Sequence, residues 1–292
     1  MSYFVTKLTK EYDGYLLKDF LSSFYLSIDK IKYLINNNCC YINGKINNNK
    51  ILKEDDEICI DTSYYDDNDV LPVKKELNIL YEDDYLLIVE KLPNTIIYPD
   101  EANVDNTMAN YISNYYLERS LDYKVRHAHR LDYDTTGVLV YAKDVITHAS
   151  ISKMIEEKTL VRKYLAIVEG KLTNKKGFIE APIGKHRHEN GKMVVSKSGK
   201  YAKTFYEVVK ENNKYSLVSL KLDTGRTHQI RVHMAYINHP LVGDVKYNST
   251  VKASRVLLHS HSVDFIHPIT KQKIKVVSDI PQEFEKYINK KS

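Results

Sequence analysis

Two short stretches carry most of the reactive side chains. The first, His129-Arg-Leu-Asp-Tyr-Asp-Thr-Thr-Gly-Val138, gathers a histidine, an arginine, two aspartates and two threonines ahead of an apolar run. Asp134-Thr-Thr-Gly137 has the composition of a turn. Asp132 is thereby placed in a loop at the edge of a strand, where a rigid scaffold presents side chains to a ligand. A carboxylate there can act as a nucleophile or stabilise a transient intermediate; it can equally cap its own turn. The second stretch, Thr224-Gly-Arg-Thr-His-Gln-Ile-Arg-Val-His-Met-Ala-Tyr-Ile237, reads as a loop entering a helix. Thr227 is of the type that caps helix N-termini, and Ile230, Met234 and Ile237 share one helical face. Arg226 and Arg231 near a helix start suit a phosphate or carboxylate, or they form a solvated basic end.

The elements around these stretches predict a sheet. Ile79 to Val89 places two apolar runs on either side of an acidic turn and reads as a hairpin. Thr107 to Leu117 has helical spacing at Met108, Ile112 and Tyr115. Val138–Ala142 reads as a buried strand, and Asp144 can cap a helix running to about Glu157. Leu160 to Val168 alternates as a strand does. Tyr206–Val208, Tyr215–Leu222, Val256–Phe265 and Lys273–Val277 also read as strands. Many strands with a few helices, not in strict alternation, predict an α+β fold with a mostly antiparallel sheet.

Upstream, Tyr15 to Phe24 and Ile28 to Asn36 have helical apolar spacing, and Asn37-Asn38 suits the end of the second helix. Cys40–Ile42 and Ile58–Ile60 read as strands, and Asn43-Gly44 is a strong hairpin-turn signal. The polar, acidic run from Thr62 to Pro72 reads as a linker. The expected organisation is a small module over 1–62, a linker over 63–75 and a larger body over 76–292.

Composition narrows the class without choosing it. The 292 residues are 43% hydrophobic and 28% charged, ordinary for a globular protein, and the formal net charge is +5. That permits a nucleic-acid partner and does not require one. The cysteines, Cys39, Cys40 and Cys59, form no pair of Cys-x-x-Cys motifs, which suits a reducing, cytoplasmic setting. No apolar run reaches the length of about 18 that spans a membrane, and the N-terminus lacks a signal-peptide pattern.

Taken together, the motifs resemble a known family. His129-Arg-Leu-Asp-x-x-Thr-Thr-Gly with Ala142-Lys143 is similar to the signature of the RluA-type RNA pseudouridine synthases. Lys163-Tyr-x-Ala-x-Val-x-Gly170 resembles their second motif, and Thr224-Gly-Arg-Thr-His-Gln-Ile-Arg-Val-His233 their third. His239-Pro-Leu-x-Gly-Asp244, Leu258-His259 and Phe265-x-His-Pro268 fit the same template, in order, from about Leu77 onward. One departure is Lys91-Leu-Pro93-Asn94 with Tyr98-Pro99, where the family has Lys-Pro-x-Gly and then His-Pro; loss of that glycine is expected to change a backbone turn. The first segment resembles the alpha-L type of RNA-binding module, named after a ribosomal small-subunit protein.

The resemblance implies a pseudouridine-synthase fold, with a mixed, mostly antiparallel central sheet flanked by helices and a small N-terminal α/β module. It implies an isomerase that detaches uracil from ribose, turns it and rejoins it through carbon 5, with no cofactor and no metal. Asp132 is then the catalytic carboxylate, Tyr164 stacks on the extruded uracil, and Arg231 pairs with Asp132. Arg130 fills the vacated space, His129 stands beside it, and Arg226 binds backbone phosphate. Lys30, Lys32 and Lys45 are the module's RNA contacts. The implied partner is RNA, large-subunit ribosomal RNA first and transfer RNA second, acted on by a monomer. Two other classes stay in view. His127-Ala-His129 with Asp132 loosely resembles a metal-hydrolase ligand set, and a non-catalytic RNA-binding protein can keep the same fold.

Overall fold

In the computed structural model, which describes residues 2–47, 51–65, 69–101 and 104–289, the chain opens with β1 (Tyr3–Lys7), α1 (Leu17–Ser23), α2 (Ile28–Asn36), β2 (Cys40–Ile42), β3 (Lys45–Ile46) and β4 (Glu57–Asp61). The strands pair antiparallel in the order β1-β4-β2-β3. Both helices lie where apolar spacing predicts them. The Ser27 hydroxyl caps α2 by accepting from the Lys30 amide, and Asn38 ends it with a left-handed φ of 56°. Asn43 and Gly44 take φ of 51° and 74°, as a type I′ hairpin turn requires. β1 is not legible in the sequence, because Phe4 and little else in it is buried.

The rest of the chain contributes β5 (Ile79–Glu82), β6 (Leu86–Lys91), α3 (Met108–Glu118), β7 (Arg126–His127), β8 (Thr136–Ala142), α4 (Val145–Glu156) and β9 (Val161–Glu169). Then follow β10 (Lys176–Glu180), β11 (Ile183–Lys185), β12 (Met193–Val195), β13 (Lys203–Glu211), β14 (Tyr215–Leu222), α5 (Gln229–Tyr236), β15 (Leu258–Ile266), β16 (Lys273–Val277) and α6 (Gln282–Ile288). Among the described residues, ten of these strands form one sheet whose main path is β10-β13-β14-β9-β15-β8-β6-β5. β15 pairs β8 in parallel and the other pairings are antiparallel, so the sheet is mixed and mostly antiparallel as expected.

Period-two alternation divides the sheet's side chains between two layers. Leu87, Val89, Leu139 and Tyr141 face α3 together with Ile230 and Met234 of α5. Leu86, Ile88, Val138 and Val140 form the opposite layer with Ile151 of α4. Each such side chain, fully buried, contributes about 1.5–3 kcal/mol relative to exposure. Gly137 sits where β8 meets β15, and a Cβ there would lie 2.2 Å from the Ser260 carbonyl oxygen, so only glycine fits this crossing.

The N-terminal elements dock on this body. Phe4, Phe20, Leu21 and Phe24 share a core with Val145 and Ile146 of α4 and with Ile269. The Tyr85 hydroxyl donates to the Val5 carbonyl at 2.6 Å, and the Ser150 hydroxyl to that of Phe24 at 3.2 Å. Within the expected linker, 66–68 lie outside the described residues. Val70 belongs to the large core, and its carbonyl accepts from Ser113 at 2.8 Å.

Candidate active site

The loop between β7 and β8 carries Asp132. Its turn is closed by the backbone: the Thr135 amide donates to the Asp132 carbonyl at 3.0 Å. The side chain is therefore not what caps the turn. The carboxylate, 27% exposed, instead faces Arg231, whose Nη1 lies 3.3 Å from its Oδ2.

Arg231 is held far more firmly from its other edge. Its Nε and Nη2 donate to the two oxygens of Asp244 at 2.7 and 2.8 Å, a bidentate pair, and Asp244 is 1% exposed. Burial works against the guanidinium charge, and the Asp244 and Asp132 carboxylates outweigh it, raising the Arg231 pKa. The ring of Tyr247 lies 5.1 Å from the guanidinium carbon. Sequence reasoning paired Arg231 with Asp132 alone. Asp244 stood in a quoted motif, but its role depends on a contact across 13 residues that no periodicity reveals.

The start of α5 differs from expectation. Thr227 is not its cap: the N-cap position is His228, with a left-handed φ of 55° and no side-chain cap bond. Gln229 displaces that arrangement. Its Oε1 accepts from the Arg226 amide at 3.0 Å and the Thr224 hydroxyl at 2.7 Å, folding the preceding loop onto the helix. The two arginines are consequently separated. Arg231 is buried between two carboxylates, whereas Arg226 is exposed and rests its Nε on the Tyr201 carbonyl at 3.0 Å. His228 packs beside the pair, its Nδ1 2.8 Å from the Tyr247 hydroxyl. Burial lowers the His228 pKa, with Asp132 opposing and Arg231 reinforcing the shift.

Tyr164 lies on β9 and is buried. Burial is the first cause of its raised pKa. Arg130 is exposed, two positions before Asp132. His129 points inward: its Nε2 accepts from the Val140 amide at 3.4 Å, and burial holds its pKa well below the usual imidazole range. That placement makes His129 a support of the loop rather than a group facing a ligand. Among the described residues, no three His, Cys, Asp or Glu side chains converge as a metal-ligand group, so His127, His129 and Asp132 do not form the hydrolase-type set.

Beneath the loop lies Lys91, a residue the sequence offered only as part of an altered motif. It is 0% exposed, and its Nζ donates to the carbonyls of Leu92, Tyr133 and Thr135 at 3.0, 2.8 and 2.9 Å. Burial pushes its pKa down to about 7, with Asp134 and Asp132 pulling the other way. At the position of the expected glycine the turn is formed by Asn94. Asn94 takes φ of 57°, and asparagine tolerates the left-handed region better than most residues.

Lys32 and Lys45 are exposed on the N-terminal elements. Lys30 is half-buried, with its Nζ 5.6 Å from the Tyr65 ring centroid. Burial first and the Arg126 charge second lower its pKa.

Comparison with known proteins shows the family of the chain. The family model for RNA pseudouridylate synthase matches residues 85–236. The Bacillus subtilis (strain 168) protein named "Uncharacterized RNA pseudouridine synthase YhcT" is 42% identical over 241 residues, 82% of this chain and 80% of that one. "Ribosomal large subunit pseudouridine synthase D" of Blochmanniella floridana is 35% identical over 256 residues, 82% of this chain and 76% of the relative. Among solved structures, human RNA pseudouridylate synthase domain containing 1 superposes with a TM-score of 0.59 at 25% identity, over 70% of this chain and 83% of that one. The chain therefore belongs to the RluA-type RNA pseudouridine synthases and isomerises uridine in RNA to pseudouridine.

Proposed function

We propose that the substrate is large-subunit ribosomal RNA and that Asp132 is the catalytic carboxylate. The observation that carries the catalytic assignment is the partly exposed Asp132 carboxylate set against a buried guanidinium whose far edge is fixed by Asp244. The choice of RNA rests on relatives named for the large ribosomal subunit, from Blochmanniella, Nitrosomonas and Vibrio.

In the net reaction the bond from uracil N1 to ribose C1′ breaks and one from C5 to C1′ forms. A proton leaves C5 and one is gained at N1, so atoms and electrons balance without an external oxidant or reductant. Asp132 stabilises the separated pieces, by adding to the uracil ring or the ribose or by assisting elimination. Arg231 orients the carboxylate, and Tyr164 lines the floor against which the uracil lies. Taking the uridine from its stack costs a few kcal/mol; Arg130, exposed beside Asp132, fills the space left behind. Arg226 and the lysines Lys32 and Lys45 bind phosphates, with Lys30 steadied against Tyr65.

On this reading, 1–62 form an alpha-L-type RNA-binding module, 63–75 connect it and 76–292 form the catalytic domain of a cytoplasmic monomer. The test is to map pseudouridines in total RNA from cells with and without the protein, and then to treat an unmodified large-subunit ribosomal RNA transcript with pure protein. Loss and recovery of the same ribosomal sites is expected. Changes confined to transfer RNA would overturn the choice of substrate.

A further inference from the structure

The loop that carries Asp132 is held from below by a second buried cation. Arg255, 5% exposed, lies in the segment leading into β15. Its Nη1 donates to the Asp134 carbonyl at 3.0 Å and to those of Val256 and Leu258 at 2.9 and 3.0 Å. Lys91 already holds the carbonyls of Tyr133 and Thr135. Three consecutive carbonyls of the catalytic loop, 133 to 135, are thus bound by two buried basic side chains that the reaction as derived above does not use.

The other edge of Arg255 leads away from the site. Its Nε lies 2.7 Å and its Nη2 2.5 Å from Oε1 of Glu283, in the first turn of α6. The helix itself is anchored: Phe284 and Ile288 pack on Leu165, Ile167 and Leu217 of the sheet, and the Arg255 guanidinium lies 5.8 Å from the Phe284 ring centroid. One planar group therefore spans the last helix and the catalytic loop. A guanidinium suits this role because its donors form a rigid fork and its charge is permanent.

We propose that Arg255 is a positioning residue for Asp132, and that Glu283 aims it, so that α6 acts as a latch on the catalytic loop. The proposal rests on the assignment of Asp132 above. Without Glu283 the guanidinium loses its lateral support, the Asp134 carbonyl loses a fixed donor, and the carboxylate two residues earlier loses its aim. A displacement of about 1 Å at a reacting group costs on the order of 100-fold in rate. Substrate binding draws on other groups and is left unchanged.

The test compares Glu283→Ala, Glu283→Gln and Arg255→Lys in the full chain with the parent, on a large-subunit ribosomal RNA transcript. Amide hydrogen exchange is followed in the peptide covering the Asp132 loop. The expected result for Glu283→Ala is a fall in kcat of about 10- to 100-fold with KM little changed. Exchange should rise in the loop while β9 and β14 keep their protection. Glu283→Gln, which keeps an acceptor, should recover part of the rate, and Arg255→Lys should resemble Glu283→Ala. Unchanged kcat and unchanged loop exchange overturn the proposal. So does a loss of activity accompanied by exchange throughout the sheet, which marks α6 as general support. Loop exchange is read without turnover, so it judges the latch even if Asp132→Asn retains activity and the assignment of Asp132 itself fails.

Discussion

Arg231 meets Asp132 through a single nitrogen at 3.3 Å while giving Asp244 two bonds at 2.7 and 2.8 Å. The arginine is thus seated by the buried aspartate and offered to the exposed one. The Asp132 side chain keeps 27% of its surface exposed.

Asp132→Asn keeps the size and polarity of the side chain and removes its anion. The expected protein is folded, binds RNA as the parent does and makes no pseudouridine. Normal turnover by this variant, measured on a ribosomal RNA transcript, would remove Asp132 from its role.

Arg231→Met leaves Asp244 charged and buried without its partner. Breaking a buried pair from one side costs about 3–5 kcal/mol, so the denaturation midpoint should fall clearly. Activity should be lost as well, because Asp132 loses its only described side-chain ion partner. Asp244→Asn keeps a weaker bond to the guanidinium. Its stability loss should be smaller, with a rate defect of about tenfold or more even where the protein is fully folded. Equal activity of Asp244→Asn and the parent would show that Arg231 needs no seat.

Much of this architecture was legible in the sequence, and the failures share a cause. Helices α2 and α4 and strand β16 announced themselves because their apolar periodicity and caps are local: Asp144 caps α4 through bonds only two and three residues away. Thr227 misled for the opposite reason. Its type suits a cap, but Gln229 reaches back to Thr224 and Arg226 and sets a different start. The short strands β7, β11 and β12 are two or three residues long and carry no readable period. Lys91 entered only as part of an altered motif, and Arg255 was not singled out. Their meaning lies in the loop carbonyls they reach, 42 and 121 residues away.

Arg226 and the lysines of the N-terminal elements should govern affinity rather than chemistry. Arg226→Met should weaken RNA binding with little effect on kcat at saturating RNA. Each phosphate contact removed lowers the slope of log affinity against log salt by about 0.7–0.9. The paired change Lys32→Met with Lys45→Met should lower it by about twice that amount if both lysines touch phosphate. An unchanged slope in either variant, from binding titrations across a salt series, would show that its side chains touch no phosphate.

His259 makes the stability of the site depend on pH. Its Nδ1 lies 2.9 Å from the Thr136 hydroxyl at the end of the Asp132 loop, and its Nε2 lies 3.5 Å from the Ser278 carbonyl. A neutral ring with its proton on Nε2 satisfies both neighbours, accepting from threonine and donating to the carbonyl. Burial accordingly lowers the His259 pKa from 6.5 to about 4, against a smaller opposing effect of the Ser278 carbonyl. Between these values the unfolded chain holds the proton and the folded chain does not. Stability contributed by the neutral ring is therefore complete above pH 6.5 and declines as pH falls toward 4, by about 3 kcal/mol in all. His259→Gln keeps a side chain able to bond Thr136 and carries no titrating proton. It should be less stable than the parent at pH 7.5 and should lack this part of the acid slope, so the two curves converge as pH drops. Denaturant midpoints measured from pH 7.5 to 4.5 decide the matter: parallel curves would mean that His259 titrates alike in the folded and unfolded chains.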